Sequence, residues 1–477
     1  MKFKVLKASM AVIKIFNSLS GEKEPLPQTK RHPLRLFVCG PTVYDYPHIG
    51  NARTFIVFDI IVRYLRSRGF KVFYLQNITD IDDKIIDRAK QEKTAWKEVS
   101  NRYEKIFRNN IERLGIDSVS RYAKATDYIP EIISQVKRLI KNANAYLIPG
   151  DGYYFDLKTF PDYGKLSKRT VEQAEDATSR IDVSDKKRNK GDFALWKLSE
   201  RAEPGWQTEL GFGRPGWHIE DTAIAEHFFG LQYELHGGGV DLKFPHHEAE
   251  IAQAESISGK KPFVKIWMHA GPLYVRGKKM SKSLGNFITV DDFLRNNSSD
   301  VFRWLVLTHN YRSPLDYTPK SLEQTKSSFG KVLEFLAKLD FAAKSGGLKR
   351  TKVSAEKAIK KAENGFWRSM DDDFNSPAAL ANIFSLISDY QEKIWKIGKN
   401  EAKKLSRSVK LTLKTVGFAI KLPPLPVKIK KIVKTRELLR KNKQFIQSDA
   451  LRKEVNGLGY IVEDTPFGPF IWPKNPL

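Results

Sequence analysis

The chain has 477 residues, is 41% hydrophobic, and carries 82 Lys/Arg against 55 Asp/Glu, a formal net charge of +27. That length exceeds what a single core usually serves, so two or three domains are expected. No run of 18 apolar residues is present, which excludes an ordinary transmembrane helix, and the single cysteine, Cys39, excludes an internal disulfide or a thiol cluster.

Lys2, Lys4 and Lys7 precede a short apolar stretch, a faint signal-peptide pattern. Lys14 interrupts it and no small-residue cleavage site follows, so the chain reads as cytoplasmic, with a first strand near Val12–Phe16. Leu34–Gly40 reads as a buried strand, Pro41 and Gly50 punctuate a turn, and an amphipathic helix is predicted over Asn51–Arg68, followed by a strand over Lys71–Leu75. This β-turn-α-β opening is that of a doubly wound nucleotide-binding sheet. Helical periodicity covers Trp96–Ala143, and Gly150–Phe160 and Phe193–Leu198 read as strand and loop. Gly211–Gly239 is expected to be loop-dense, a binding wall rather than core. Beyond Asp291 the pattern is helical to Phe418. Lys421–Lys431, with Pro423, Pro424 and Pro426, reads as a linker before a small basic module. From Gln391 to Lys453 there are 19 Lys/Arg and 4 Asp/Glu, a net +15, which places a nucleic-acid contact near the C-terminus.

Two short strings carry chemistry. Pro47-His48-Ile49-Gly50-Asn51 sits between the first sheet strand and its helix, where free backbone N–H groups favour phosphate and glycine permits close approach. Lys279-Met280-Ser281-Lys282-Ser283 offers lysines that can neutralise charge developing on a phosphate during transfer. Either string alone is weak. Together, in this order and about 230 residues apart, they resemble the HIGH and KMSKS signatures of class I aminoacyl-tRNA synthetases, with Asn51 at the fourth HIGH position.

Longer strings narrow the resemblance. Phe37 to Asp45, Asn77 to Lys84, Gly213 to Glu220, His236 to Leu242 and Phe244 to Glu250 closely resemble cysteinyl-tRNA synthetases, and the likeness runs from about Ile13 to Pro466. It implies a Rossmann-like α/β catalytic domain over 11–290 with an inserted connective peptide at about 90–200. An α-helical stem-contact domain over 291–420 and a small C-terminal anticodon-binding module over 421–477 should follow. Met370 to Pro377 matches the family's helical domain, while Asp449-Ala450-Leu451-Arg452 and Trp472 fall in the terminal module. The likeness begins only after Met10, so Met1–Ser9 read as an extension or a misassigned start, and a chain starting at Met10 should fold and charge tRNA normally.

The resemblance also implies ATP-dependent activation of L-cysteine to cysteinyl-adenylate and transfer to the 3′ end of tRNA(Cys), with magnesium accompanying ATP and no obligate protein partner or membrane. His48, Asn51, Lys279 and Lys282 are the implied catalytic residues. Gly40, Thr42, Gly50, Met280 and Ser281 join them around ATP, and Thr79, Trp217, His236 and Asp241 form the cysteine pocket.

His246 and Glu250 stand four apart, on one helix face, and can chelate zinc or simply begin a helix. In the family this pair joins two cysteines around a zinc that binds the substrate thiolate. The first maps to Cys39; at the second stands Asp221, which preserves the site's charge and is a competent ligand. The set Cys39, Asp221, His246 and Glu250 is therefore expected, with His247 or Glu220 as the alternative should Asp221 point away. Two rival functions are a cysteine:amino-sugar ligase of the same fold, opposed by the basic C-terminal module, and a non-catalytic tRNA-binding paralogue, opposed by the intact nucleotide signatures.

Overall fold

A computed structural model describes residues 12–29, 32–169, 184–281, 284–345 and 354–477. Lys282 and the segment Met1–Ala11, on which the expectation about the start rests, lie outside the described residues. The chain divides into two compact units, one running to Asn296 and including Tyr311–Asp316, the other comprising Asn297–Asn310 and Tyr317–Leu477.

The first unit opens with a hairpin, β1 (Lys14–Asn17) and β2 (Glu22–Pro25). Next come β3 (Leu34–Val38), α1 (Ile49–Ser67), β4 (Val72–Ile78), α2 (Asp83–Glu92), α3 (Trp96–Arg113), β5 (Arg121–Lys124) and α4 (Ile129–Lys141). An antiparallel sheet, ordered β6-β7-β8-β10-β9, is built from β6 (Ala145–Ile148), β7 (Gly152–Phe155), β8 (Phe193–Leu198), β9 (Trp206–Thr208) and β10 (Gly211–Pro215). The chain returns through α5 (Ile219–Phe229), β11 (Tyr233–Gly239), α6 (Glu248–Ser258) and β12 (Val264–Ala270).

The central sheet has the order β12-β11-β3-β4-β5, and all its pairings are parallel. Its strands are apolar because both faces are covered: Leu34, Leu36, Phe37 and Val38 are fully buried. The strand order reverses between β3 and β11, so the crevice beyond the carboxyl ends of those two strands is where such a sheet binds ligands. A three-stranded sheet, β14-β13-β15, follows from β13 (Leu273–Val275), β14 (Lys278–Lys279) and β15 (Leu315–Tyr317), with α7 (Val290–Asn296) between.

Two expectations are corrected. The predicted helical stretch Trp96–Ala143 is broken by β5, an edge strand of the parallel sheet. Its short sequence, Arg121-Tyr122-Ala123-Lys124, shows charge at both ends and little alternation, as suits a protected edge. Gly211–Gly239 is not loop-dense but contains β10, α5 and β11. Its glycines serve close packing: a Cβ on Gly216 would lie 1.8 Å from the Ala194 carbonyl oxygen, and one on Gly237 would enter the Phe58 ring at 2.2 Å.

The second unit is helical: α8 (Ser299–Leu307), α9 (Pro319–Lys344), α10 (Glu356–Asp371), α11 (Ser376–Gln391) and α12 (Lys399–Lys414). Trp304 and Phe329 stack in its core with rings 4.9 Å apart, and Phe418 meets the Trp304 ring edge-on. Residues 421–426 carry neither helix nor strand. Beyond them α13 (Val427–Lys441), α14 (Phe445–Gly457) and the hairpin β16 (Tyr460–Thr465)–β17 (Gly468–Pro473) enclose a small core of Ile429, Val433, Val455 and Val462. Glu463 ties this hairpin to the bundle, accepting from Trp395 Nε1 and pairing with Lys338, both at 2.7 Å.

Candidate active site and metal centre

At the switch point lies a cleft of about 950 Å³. Cys39 stands just past β3, His48 caps α1, Thr79 follows β4, and Asp241 follows β11. Trp217 and Asp221 enter beside and within the first turn of α5, and Lys279, Met280 and Ser281 close the far side. Gly40, Thr42, Gly50, Asn51 and His246 also line it. His236 and Glu250 do not; both are fully buried behind its wall.

The His48 ring caps its own helix. The backbone N–H groups of Gly50 and Asn51 donate to its Nδ1 at 3.1 and 3.2 Å. Nδ1 is thus an acceptor, so the neutral ring carries its hydrogen on Nε2. Burial lowers the pKa to about 4, and nearby Lys279 adds to this, against the opposing carboxylates of Asp241 and Asp45. The segment that follows the second signature string is bound to the first. Ile49 N–H donates to the Ile288 carbonyl at 3.1 Å, and Val290 N–H to that of Pro47 at 2.9 Å. Asn286 holds the second loop in shape, accepting from Ser281 N–H and donating to the Lys279 carbonyl. A Cβ on Gly50 would sit 2.9 Å from the His48 ring that caps the helix and 2.8 Å from the movable Met280 Cε, so a larger residue there would press on the cap.

Cys39, Asp221, His246 and Glu250 bring one donor atom each within 4.8 Å of one another. His246 Nε2 is 3.0 Å from Asp221 Oδ2 and 3.2 Å from Glu250 Oε1, and Cys39 Sγ is 3.9 Å from Glu250 Oε1. A tetrahedron with arms of ~2.0–2.3 Å has edges of about 3.3–3.8 Å, close to these separations. Two further observations fit a cation here. Glu250 Oε2 is buried without a hydrogen-bond partner. Burial, then the carboxylates of Asp221 and Glu250, push the Cys39 thiol well above its ordinary range, and burial with Asp221 does the same to the Glu250 carboxyl. A divalent ion would offset that crowded negative charge.

Of the alternative ligands, Glu220 is taken up by a hydrogen bond from the Thr79 hydroxyl, while His247 Nε2 lies 3.1 Å from Cys39 Sγ. A second group, Cys39, His236, His247 and Glu250, also gathers its donor atoms within 4.8 Å. His236 therefore faces the sulfur rather than the cleft. The Trp217 indole stacks on the His246 ring at 4.4 Å, forming the wall beside the tetrad. Sequence reasoning missed His218, whose Nδ1 meets His246 Nδ1 at 2.8 Å, and Asn77, which donates to Asp221. His218 adjoins Trp217 in a motif already singled out; Asn77 opens another such string but carried no role.

A family model described as tRNA synthetases class I (C) catalytic domain matches residues 25–327, and a DALR domain model matches 365–417. The Cysteine–tRNA ligase of Persephonella marina is 39% identical over 482 residues, covering 96% of this chain and 98% of its own. The chain belongs to the cysteine–tRNA ligase family. The ligase of the same name from Thermococcus gammatolerans is likewise 39% identical, over 97% of this chain and 99% of its own. The fold is shared more widely than the family. Methionyl-tRNA synthetase of Mycobacterium tuberculosis, bound by methionyl-adenylate, superposes with a TM-score of 0.61 at 16% identity over 81% of this chain and 92% of its own. Among the described residues no helix is long and apolar enough to cross a membrane.

Proposed function

We propose that this member of the cysteine–tRNA ligase family activates L-cysteine with ATP and transfers the cysteinyl group to the 3′ end of tRNA(Cys). The observation that carries the reading is the gathering, around one cleft, of the His48-capped helix start, the Lys279–Ser281 segment facing it, and a buried Cys-Asp-His-Glu tetrad of which Cys39, Asp221 and His246 line the cleft. The cysteine carboxylate attacks the ATP α-phosphate, pyrophosphate leaves, and a terminal ribose hydroxyl of tRNA then takes the acyl group. His48 donates from Nε2 to phosphate, Asn51 sits at the helix start beside it, and Lys279 and Lys282 offset the charge that grows on the leaving pyrophosphate. Magnesium comes with ATP. Asp241 receives the substrate ammonium, and Thr79 and Trp217 close around the small side chain.

Cys39, Asp221, His246 and Glu250 would hold zinc. When bound, zinc supplies a Lewis-acid position that takes a thiolate far better than a neutral hydroxyl, which separates cysteine from serine where shape gives little. The helical segment over 291–420 would contact the tRNA stem and the basic module over 421–477 the anticodon. ATP–pyrophosphate exchange dependent on cysteine, and charging of tRNA(Cys), test the reading. Exchange without charging would point to a ligase that transfers cysteine to another acceptor, and neither activity would leave a tRNA-binding protein.

A further inference from the structure

Behind the tetrad, two imidazoles meet the one thiol of the chain. His236 Nε2 lies 3.3 Å and His247 Nε2 3.1 Å from Cys39 Sγ. Their other nitrogens are engaged away from the sulfur. His236 Nδ1 is 2.6 Å from the Tyr233 hydroxyl, whereas Glu250 Oε2, at 3.6 Å, is beyond hydrogen-bond reach. His247 Nδ1 is 2.9 Å from His269 Nε2, and His269 Nδ1 is 2.8 Å from Ser18 Oγ. Ser18 belongs to the turn of the β1–β2 hairpin and is fixed there by its N–H, which donates to the Trp267 carbonyl at 2.9 Å. Ser18, Tyr233 and His269 are all buried, and none of them lines the cleft.

The direction of hydrogens along these contacts follows once Cys39 ligates a metal, so the inference rests on the tetrad reading above. A ligating thiolate has no proton to give. Two imidazole lone pairs at such distances would repel it, so both Nε2 atoms must carry hydrogen. A neutral imidazole with hydrogen on Nε2 presents a lone pair at Nδ1. His236 Nδ1 then accepts from the Tyr233 hydroxyl. His247 Nδ1 accepts from His269 Nε2–H, and His269 Nδ1 accepts from the Ser18 hydroxyl. Each contact then has one donor and one acceptor, and each chain ends on a hydroxyl, which can donate by rotating.

We infer that Ser18 and Tyr233 are positioning residues for the metal centre: they fix the tautomers of His236, His247 and His269 so that two N–H groups point at the Cys39 sulfur. The opposite orientation would aim both Nε2 lone pairs at the sulfur side and favour a metal held by Cys39, His236, His247 and Glu250 instead.

The full chain loaded with cobalt(II) in place of zinc reports on this through its sulfur-to-metal charge-transfer band. Donation to sulfur lowers the energy of its lone pairs, so Ser18→Ala and Tyr233→Phe should each move the band to longer wavelength. Each should also weaken zinc retention against a chelator about 10-fold, the scale for losing a group that orients a ligand. Ser18→Thr, which keeps the hydroxyl, should restore both. Tyr233→Phe removes a single oxygen and keeps the test alive should Ser18→Ala fold poorly. An unmoved band in both variants overturns the inference alone. Loss of metal in His247→Ala but not in Asp221→Ala overturns it in favour of the opposite orientation. A parent cobalt protein lacking any sulfur band removes Cys39 as a ligand, and the tetrad reading falls with it.

Discussion

Asp221 lies in the buried tetrad with its Oδ2 3.0 Å from His246 Nε2, while Asn77 secures its other oxygen. Asp221→Ala is therefore expected to lose zinc and to discriminate less well against serine in the exchange reaction. Elemental analysis of the purified variant decides this, and a full complement of metal would remove Asp221 from the site. Lys279→Ala and Lys282→Ala should each slow adenylate formation about 10²–10³-fold, the scale for one lost charge-stabilising donor, with cysteine affinity nearly unchanged. Wild-type exchange in either variant would unseat that lysine.

Acid stability is also set residue by residue. Burial lowers the His269 pKa to about 3 and that of His48 to about 4, against roughly 6.5 in the unfolded chain. The unfolded state then binds more protons between these limits, so each ring contributes stability that is lost as pH falls from about 6.5. The slope is up to about 1.4 kcal/mol per pH unit for each ring. The raised carboxyls of Glu220 and Glu250 act in the opposite sense, so the informative quantity is a difference. The urea midpoints of wild type and His269→Gln should converge as pH is lowered from 7 to 4. Parallel midpoints would mean that His269 accepts charge where it lies.

At the level of elements, backbone proximity dictates composition. The chain turns from β3 into the cleft at Gly40, where a Cβ would lie 1.8 Å from the Asn77 carbonyl oxygen, a backbone atom that cannot step aside. Gly40→Ala should cost about 1–3 kcal/mol by overpacking and displace Cys39 beside it. Thermal melting with a parallel zinc assay would reveal both, and an unchanged melting temperature would mean that β3 and β4 can separate locally. The first signature loop is tied to the start of α7, since Pro47 and Ile49 exchange backbone hydrogen bonds with Val290 and Ile288.

For the molecule as a whole, the charge is unevenly shared: Gln391–Lys453 carries a net +15 of the total +27. Binding of tRNA should weaken steeply with salt, as expected when many phosphate contacts release counterions. Deleting everything after Leu422 should spare cysteine-dependent exchange, because every residue of the cleft lies in the first unit. Charging should be damaged. The bundle should also soften, since the cut strips Glu463 from Lys338 and Trp395, and Phe470 from Phe341. Normal charging by the shortened chain would end the anticodon assignment.

Local chemistry was legible from residue order alone. Apolar runs placed β3 and β4, the helix after His48 followed from periodicity, and the i, i+4 spacing of His246 and Glu250 foretold that their side chains would meet. Strand β5 escaped because an edge strand with charged ends shows little pattern, and the glycines of 211–239 passed for loops because their purpose, admitting a neighbouring backbone or ring, is invisible without the neighbour. The same limit hid the histidine network. His269 and Ser18 are 251 residues apart, and only the docking of the first hairpin against β12 brings them within 2.8 Å. Sequence determined which residues could ligate, cap or donate; tertiary structure decided which of them meet around Cys39, because buried polar contacts between distant segments depend on the packing of whole elements and leave no periodic trace in the chain.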